Sequence, residues 1–382
     1  MRFFTALLAC LFLVSCQAAG LVGEDRVSLH AVSFADVPGW QSDRQNEALA
    51  ALQRSCARIL KKDPASSFGV GEFSGLSLPW QEACKNIPGT SAPETARRFI
   101  EENFTPYEMR GQKGREGLFT GYYEPILKGT REKRGAYTIP IYARPADLIT
   151  VSLGDFVPKL KGETVMGKVS GEKLVPYDTR ADIVSGALAS RGEILAWVDD
   201  PISAFFLHVQ GSGRIEMEDG SVLRVGYATQ NGHPYYAIGR ELVKRNVLPK
   251  EEVSMQSIRA WLEAHPAESV AMMNLNVSYV FFRVLEGDGP LGGEGVALTP
   301  MRSLAVDRKL IPYGAPIFID ADAPEGNTRL QRLMVAQDTG GAITGAVRGD
   351  FFWGAGDVSA RMAGIMKSKG RAWLLLPRGV SP

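Results

Sequence analysis

Apolar positions recur at three- and four-residue spacings between Ser42 and Lys62, with Leu49, Leu52, Cys56, Ile59 and Leu60 on one stripe. That period predicts a helix, with Ser42 as its N-cap. A second helical pattern covers 93–104, opened by Pro93 and carrying Phe99 and Ile100, and Trp80, Cys84 and Ile87 share a face of the short segment between them. Gly117 to Pro125 reads as a strand bending into a turn, and further strand-like pieces lie at 136–142, 194–198, 204–209 and 222–227. Helices are predicted at 236–245 and 254–265, the latter with Ile258, Trp261 and Leu262 on one face. After the apolar run 279–283, the glycine-rich stretch 287–295 reads as a linker or crossing loop. Strand candidates at 296–299, 304–306, 315–319, 330–336, 342–347 and 371–376 then surround one helix, from Asp357 as N-cap to Lys369 with Gly370 as C′ residue. Short strands around one helix predict a mainly β fold with some helices, and a small closed barrel rather than a doubly wound sheet.

The N-terminus changes the picture. Met1-Arg2 and the apolar stretch Phe3 to Val14 form an export signal too short to span a membrane. Leu13-Val14-Ser15-Cys16 has the form of a bacterial lipobox, which predicts a signal peptide over 1–15, lipid on Cys16 and a tether over 16–40. Gln17 after the cysteine points to the outer membrane, facing the periplasm; a signal cut nearby would instead leave a soluble periplasmic protein. Of the remaining cysteines, Cys56 and Cys84 both point inward, as a disulfide or as two buried thiols. No CxxC pair or His-Cys cluster suggests a metal, and no cofactor is expected. With 43 Lys plus Arg against 42 Asp plus Glu over 382 residues, nucleic acid is not an expected partner.

The candidate chemistry lies in the run from Ala336 to Gly354, which holds Asp338 and Asp350 among five glycines, beside Phe351, Phe352 and Trp353. Glycine admits backbone close to a ligand, so this run reads as a cleft. Apolar surroundings would raise the Asp350 pKa and keep it protonated as an acid, unless it pairs with Arg348 or Arg361. Asp338 reads as a turn aspartate accepting backbone N–H bonds, and Asp357 as a helix cap. Glu124 is a possible second acid but reads better as a surface turn carboxylate, while His208 reads as structural on a strand and His233 as lining a groove. Three further blocks combine glycine, aromatic and polar groups, at 119–125, 205–213 and 226–236. Rings that stack on sugar faces, beside amides and hydroxyls, suit a glycan chain.

Phe119-Thr-Gly-Tyr-Tyr, Val209-Gln-Gly-Ser-Gly, Tyr227-Ala-Thr-Gln-Asn-Gly-His, Ser254-Met-Gln-Ser-Ile-Arg and Asp338-Thr-Gly-Gly-Ala-Ile, with the lipobox, together resemble the membrane-bound lytic murein transglycosylase A family, with its C-terminal 3D domain. The resemblance runs from about 95 to 376. It implies a double-psi β-barrel catalytic domain over 41–125 plus 287–377, an inserted β-rich domain over 126–286, and a groove between them. It further implies non-hydrolytic cleavage of the MurNAc–GlcNAc bond of peptidoglycan, leaving 1,6-anhydro-MurNAc ends. Asp350 then falls on the single catalytic acid/base and Asp338 on its support, with Thr120, Tyr122, Gln210 and Ser212 holding the glycan. Expected partners are peptidoglycan strands, the membrane through Cys16 and cell-wall synthesis proteins, with the enzyme a monomer. Two other readings remain open from the residues: an aspartic protease built on Asp338-Thr339-Gly340, and a glycan-binding barrel of the expansin type that does not cut.

Overall fold

Strand pairing divides the described residues between three sheets. The structure is a computed structural model and describes residues 26–69, 75–89, 92–287 and 289–382; the signal peptide and Cys16 lie outside them. In the largest sheet the order is Ser28–Ala31, Phe104–Arg110, Lys367–Pro377, Pro316–Asp322, Arg329–Asp338, Ser303–Val306, Arg348–Ala355 and Gly117–Glu124. Gly117–Glu124 also pairs with Lys367–Pro377, so the last six strands close on themselves as a barrel. A barrel this narrow is filled by its own side chains. Phe119, Leu304, Val306, Ile317, Val335, Phe351 and Leu374 belong to that core.

The chain leaves the barrel at Pro125. It builds a six-stranded sheet, ordered Val280–Val284, Val222–Gln230, Ser212–Met217, Ile126–Thr130, Ile194–Val198 and Ile139–Tyr142, and returns to the barrel at Ser303. A three-stranded meander, Ile149–Ser152, Thr164–Ser170 and Lys173–Pro176, was not foreseen from the sequence. Its exposed residues are mixed in polarity and give little period-two signal.

Several sequence expectations need correction. Residues 28–40 are not tether: Ser28–Ala31 is paired to Phe104–Arg110, and Trp40 is buried with its indole N–H donating to Glu101 at 2.8 Å. The first long helix spans Leu49–Ile59 after a 3₁₀ turn at Gln45–Ala48, so Ser42 does not cap it. The apolar run 204–209 is helical, within Pro201–Gln210. A short apolar run does not distinguish a strand from a buried helix. Asp200 decides it by accepting the Ile202 and Ser203 N–H groups, with Pro201 at the first helical position.

Residues 296–299 carry only an isolated bridge at Ala297 and 342–347 are turns; the strand is Arg348–Ala355. That strand is covered on both faces and so lacks alternation. Its helix, Asp357–Ile365, starts after Gly356 with Asp357 in the first turn rather than as a cap, and it ends before Gly370. Gly370 lies in Lys367–Pro377, where a Cβ would come within 2.6 Å of the Ala321 Cβ.

Cys56 and Cys84 form a disulfide joining helix Leu49–Ile59 to helix Ser77–Lys85 across 28 residues. Cross-linking a loop of that size restricts the unfolded chain by about 3 kcal/mol. Replacing both cysteines by alanine should therefore lower the thermal midpoint by roughly 5–10 °C. Calorimetry of the oxidised chain and the double variant checks this; equal midpoints would show that the bond adds no stability.

Candidate active site

Register places the two aspartates. Asp338 ends strand Arg329–Asp338 and Asp350 lies in Arg348–Ala355, and both are register partners of Ala305 on the strand between them. Asp350 is in turn opposite Thr120, and Thr120 opposite Lys367. With neighbouring strands ~4.8 Å apart, the Asp338 and Asp350 Cα atoms are ~9–10 Å apart. Alternation sends Phe119 and Phe351 into the barrel core. Tyr122, Phe352, Ala305 and Leu298 make a separate buried cluster on the opposite face, with the two rings 5.1 Å apart. This cluster is the floor beneath Asp350. The aromatics read as lining a cleft are therefore packed: Phe351, Phe352 and Trp353 are all buried.

The two carboxyls have different surroundings. Asp350 is half-buried, and its Oδ1 accepts the Thr120 hydroxyl proton at 2.5 Å. That hydroxyl accepts an N–H from Arg348 Nη2 at 2.8 Å. Burial pushes the Asp350 pKa above its ordinary value, and the Arg348 charge and the Thr120 hydroxyl pull against it. Arg361 pairs with Glu325 instead, and Arg348 reaches Asp350 through Thr120.

Asp338 accepts N–H bonds from Thr339 and Gly293, both at 2.8 Å and both on Oδ1, as a turn aspartate would. Burial nevertheless pushes its pKa up to about 6, against those two N–H groups and Tyr122 and with help from the Asp350 charge. The stretch 287–295 is thus more than a crossing loop, because it carries a donor for Asp338. A Cβ at 293 would lie 2.4 Å from the Tyr313 hydroxyl, so a larger residue there would have to displace that ring.

Tyr122, expected to touch a ligand, is buried; burial first, then Asp338, holds its phenol well above the usual range. It supports the carboxylates from below. Gln210 ends helix Pro201–Gln210, and its Oε1 accepts the Tyr123 N–H at 3.2 Å. Gly211, at φ 77°, then turns the chain into Ser212, the first residue of Ser212–Met217. Thr120, Tyr122 and Asp350 are thus brought together, with Gln210 held against Tyr123 of the same strand and Ser212 two residues beyond it at the start of Ser212–Met217.

Glu124 is not a surface carboxylate. It is 1% exposed and paired with Arg214 at 2.8 Å and Arg224 at 3.6 Å, both from the inserted sheet. His208 is structural, though on a helix: Arg180 Nη1 lies 2.9 Å from its Nδ1, and burial holds its pKa well below the usual value. His233 is half-buried, and its Nε2 donates to the Tyr177 carbonyl at 2.7 Å. Arg348, read from the sequence as a possible ion-pair partner of Asp350, binds the Thr120 hydroxyl instead; the donor at Gly293 was missed. Gly293 carries no local signal.

Residues 118–283 match the family described as MltA specific insert domain, and residues 302–376 match the 3D domain. Membrane-bound lytic murein transglycosylase A of Escherichia coli (strain K12) is 35% identical over 264 residues, 67% of this chain and 65% of that protein. The protein of that name from Vibrio cholerae is 30% identical over 272 residues, 69% of this chain and 67% of that one.

The chain belongs to the membrane-bound lytic murein transglycosylase A family.

Solved structures of this family agree over nearly the whole fold. The Agrobacterium tumefaciens membrane-bound lytic murein transglycosylase has a TM-score of 0.82 at 34% identity, covering 92% of this chain and 98% of that one. MltA from Neisseria gonorrhoeae, in its monoclinic form, reaches 0.80 at 34% identity over 93% and 94%. E. coli MltA with bound chitohexaose reaches 0.63 at 26% identity, again over 93% and 94%.

The Asp338 site makes a stability prediction. A carboxyl raised from 3.8 to about 6 in the native state contributes its stability below pH 3.8 and loses it as pH rises through about 6. Above pH 6 the ionised group destabilises the native state by roughly 1–3 kcal/mol. Asparagine keeps an acceptor for both N–H groups without the charge. Asp338→Asn should therefore unfold several degrees higher than the parent at pH 7.5 and at the parent's temperature at pH 4. A difference that does not change with pH would show that Asp338 is not desolvated.

Proposed function

We propose that this chain is a lytic transglycosylase that cleaves the MurNAc–GlcNAc bond of peptidoglycan without water, with Asp350 as its single acid/base. Asp350 itself carries this reading: a half-buried carboxyl whose pKa is raised by burial and which, among the described residues, accepts a side-chain hydrogen bond from Thr120. The names of its relatives, and chitohexaose bound to E. coli MltA, support a glycan substrate.

One carboxyl group is sufficient. Protonated Asp350 gives its proton to the glycosidic oxygen, the C1–O bond breaks, and GlcNAc leaves as an alcohol. The resulting carboxylate takes the proton of the MurNAc C6 hydroxyl as that oxygen closes on C1, which forms the 1,6-anhydro ring and restores the acid. No water is consumed. Because the nucleophile is on the same sugar, proximity contributes about 7 kcal/mol or more. Hydrolases of the usual type need a second free carboxylate, whereas Asp338 is bound by two backbone N–H groups.

Asp338 is the structural support beside Asp350, while Thr120, Gln210 and Ser212 border the bound glycan. The barrel, extended to include Ser28–Ala31, forms one wall of the groove and the segment 126–286 the other. Lipid on Cys16 holds the enzyme to the outer membrane, on the periplasmic side. A proton-sharing aspartic dyad does not fit, since Asp338 and Asp350 bind different donors and Asp-Thr-Gly occurs once.

Digestion of purified glycan strands followed by mass spectrometry tests the reading. Products should carry anhydro ends, one water lighter than reducing ends, and Asp350→Asn should lose roughly a thousandfold or more in kcat while still retaining glycan strands. Reducing ends would make the chain a hydrolase, and full activity in Asp350→Asn would move the acid elsewhere.

A further inference from the structure

Arg348 lies beside the acid yet forms no direct pair with it. Its guanidinium is tied to the backbone of two strands: Nη1 donates to the Leu118 carbonyl at 3.3 Å and to the Gly349 carbonyl, which leaves Nη2 on the Thr120 hydroxyl at 2.8 Å. Arginine has donors only, so Thr120 Oγ1 must be the acceptor in that contact. A threonine hydroxyl has one proton. With a lone pair committed to Arg348, that proton is directed to the other near oxygen, Asp350 Oδ1, at 2.5 Å. While Thr120 donates that proton to Oδ1, the acid's own proton resides on Oδ2.

We infer that Arg348 is a positioning residue that acts through Thr120, fixing Asp350 Oδ1 as a hydrogen-bond acceptor so that Oδ2 alone holds and delivers the proton. The inference rests on Asp350 being the acid/base. In the second half of the reaction the same relay holds the carboxylate in place while Oδ2 accepts the C6 proton, so the acid need not rotate between its two tasks. A carboxyl free to rotate would offer the wrong oxygen, or its proton would point away from the glycosidic bond.

The groups facing Asp350 limit what else could set this state. Asp338 and Tyr122 lie on one side, and Asp338 has its own N–H donors. Lys367 is in register with Thr120, but its ammonium reaches the Lys250 carbonyl at 3.5 Å. Among the described residues, Arg348 is the cation whose charge acts on Asp350.

Kinetics on glycan strands, read as kcat, KM and the pH profile of kcat/KM, test the relay. Arg348→Met should lower kcat about ten- to hundredfold, a part of what a positioned acid contributes, with KM within about twofold. Its alkaline limb should move to higher pH, because a charge favouring the carboxylate is gone. Thr120→Val should give a similar kcat, Thr120→Ser, which keeps the hydroxyl, should recover most of the kcat that Thr120→Val loses, and the double variant Arg348→Met, Thr120→Val should be no slower than Thr120→Val alone. Arg348→Gln keeps an N–H donor without the charge; it should shift the limb with a smaller loss of kcat, and it carries the test if Arg348→Met does not fold. Multiplying losses in the double variant, or an unmoved limb in both arginine variants, would overturn the inference while anhydro products and an inactive Asp350→Asn leave the acid assignment intact.

Discussion

Ser303–Val306 sits between the two strands that carry aspartates, and the site depends on how firmly it is held. All four of its residues are buried. The Ser303 hydroxyl donates to Gln337 Oε1 at 2.6 Å, and the Gln337 amide donates to the Ala51 carbonyl and the Ser55 hydroxyl, both at 2.9 Å. Next to it, buried Arg302 donates to Asp43 at 3.0 Å, to Glu47 at 2.8 Å and to the Leu333 carbonyl at 3.0 Å. A buried arginine with this many partners stabilises little compared with an apolar core, yet losing one partner costs about 3–5 kcal/mol. It therefore acts as a specificity device, fixing the strand register on which the spacing of Asp338 and Asp350 rests. The N-terminal segment, through Asp43, Glu47 and Ser55, is thus part of the support of the site.

On that frame, two like carboxyls acquire unlike roles from their neighbours. Both are desolvated, and both have raised pKa values. Asp338 is held in one orientation by two backbone N–H groups on its Oδ1. Asp350 instead takes a side-chain hydroxyl, from Thr120, on its Oδ1. Environments that separate the tasks of two acids are the general route to acid and base chemistry at neutral pH. The inserted sheet meets this arrangement at two points, Glu124 between Arg214 and Arg224, and Gln210 on the Tyr123 N–H. Glu124 ends the strand that carries Thr120 and Tyr122, so the insert and the relay share one element.

Much of this was legible in the sequence, and the failures have physical causes. The Asp338 and Asp350 run, the lone Asp-Thr-Gly and the Phe-Thr-Gly-Tyr-Tyr block are local patterns, and the structure places all of them on strands of one barrel. The strand through Asp350 was placed too early because Phe351 and Phe352 are buried on opposite faces, which removes the alternation that marks a strand. The same ambiguity turned helix Pro201–Gln210 into a strand. Partners of Glu124 and Asp338 were hidden for another reason. Arg214 lies 90 residues from Glu124 and Gly293 lies 45 from Asp338, and no local pattern reports contacts at such separations.

The central claim is that Asp350 presents one free carboxyl oxygen to the scissile bond. A crystal structure of the Asp350→Asn variant with a glycan strand across the barrel and the insert tests it most directly. The bridging oxygen between MurNAc and GlcNAc should lie within about 3.2 Å of the side-chain atom at position 350 that does not face Thr120. A bridging oxygen at hydrogen-bond distance from Asp338 instead, or one on the Thr120 side of position 350, would contradict it.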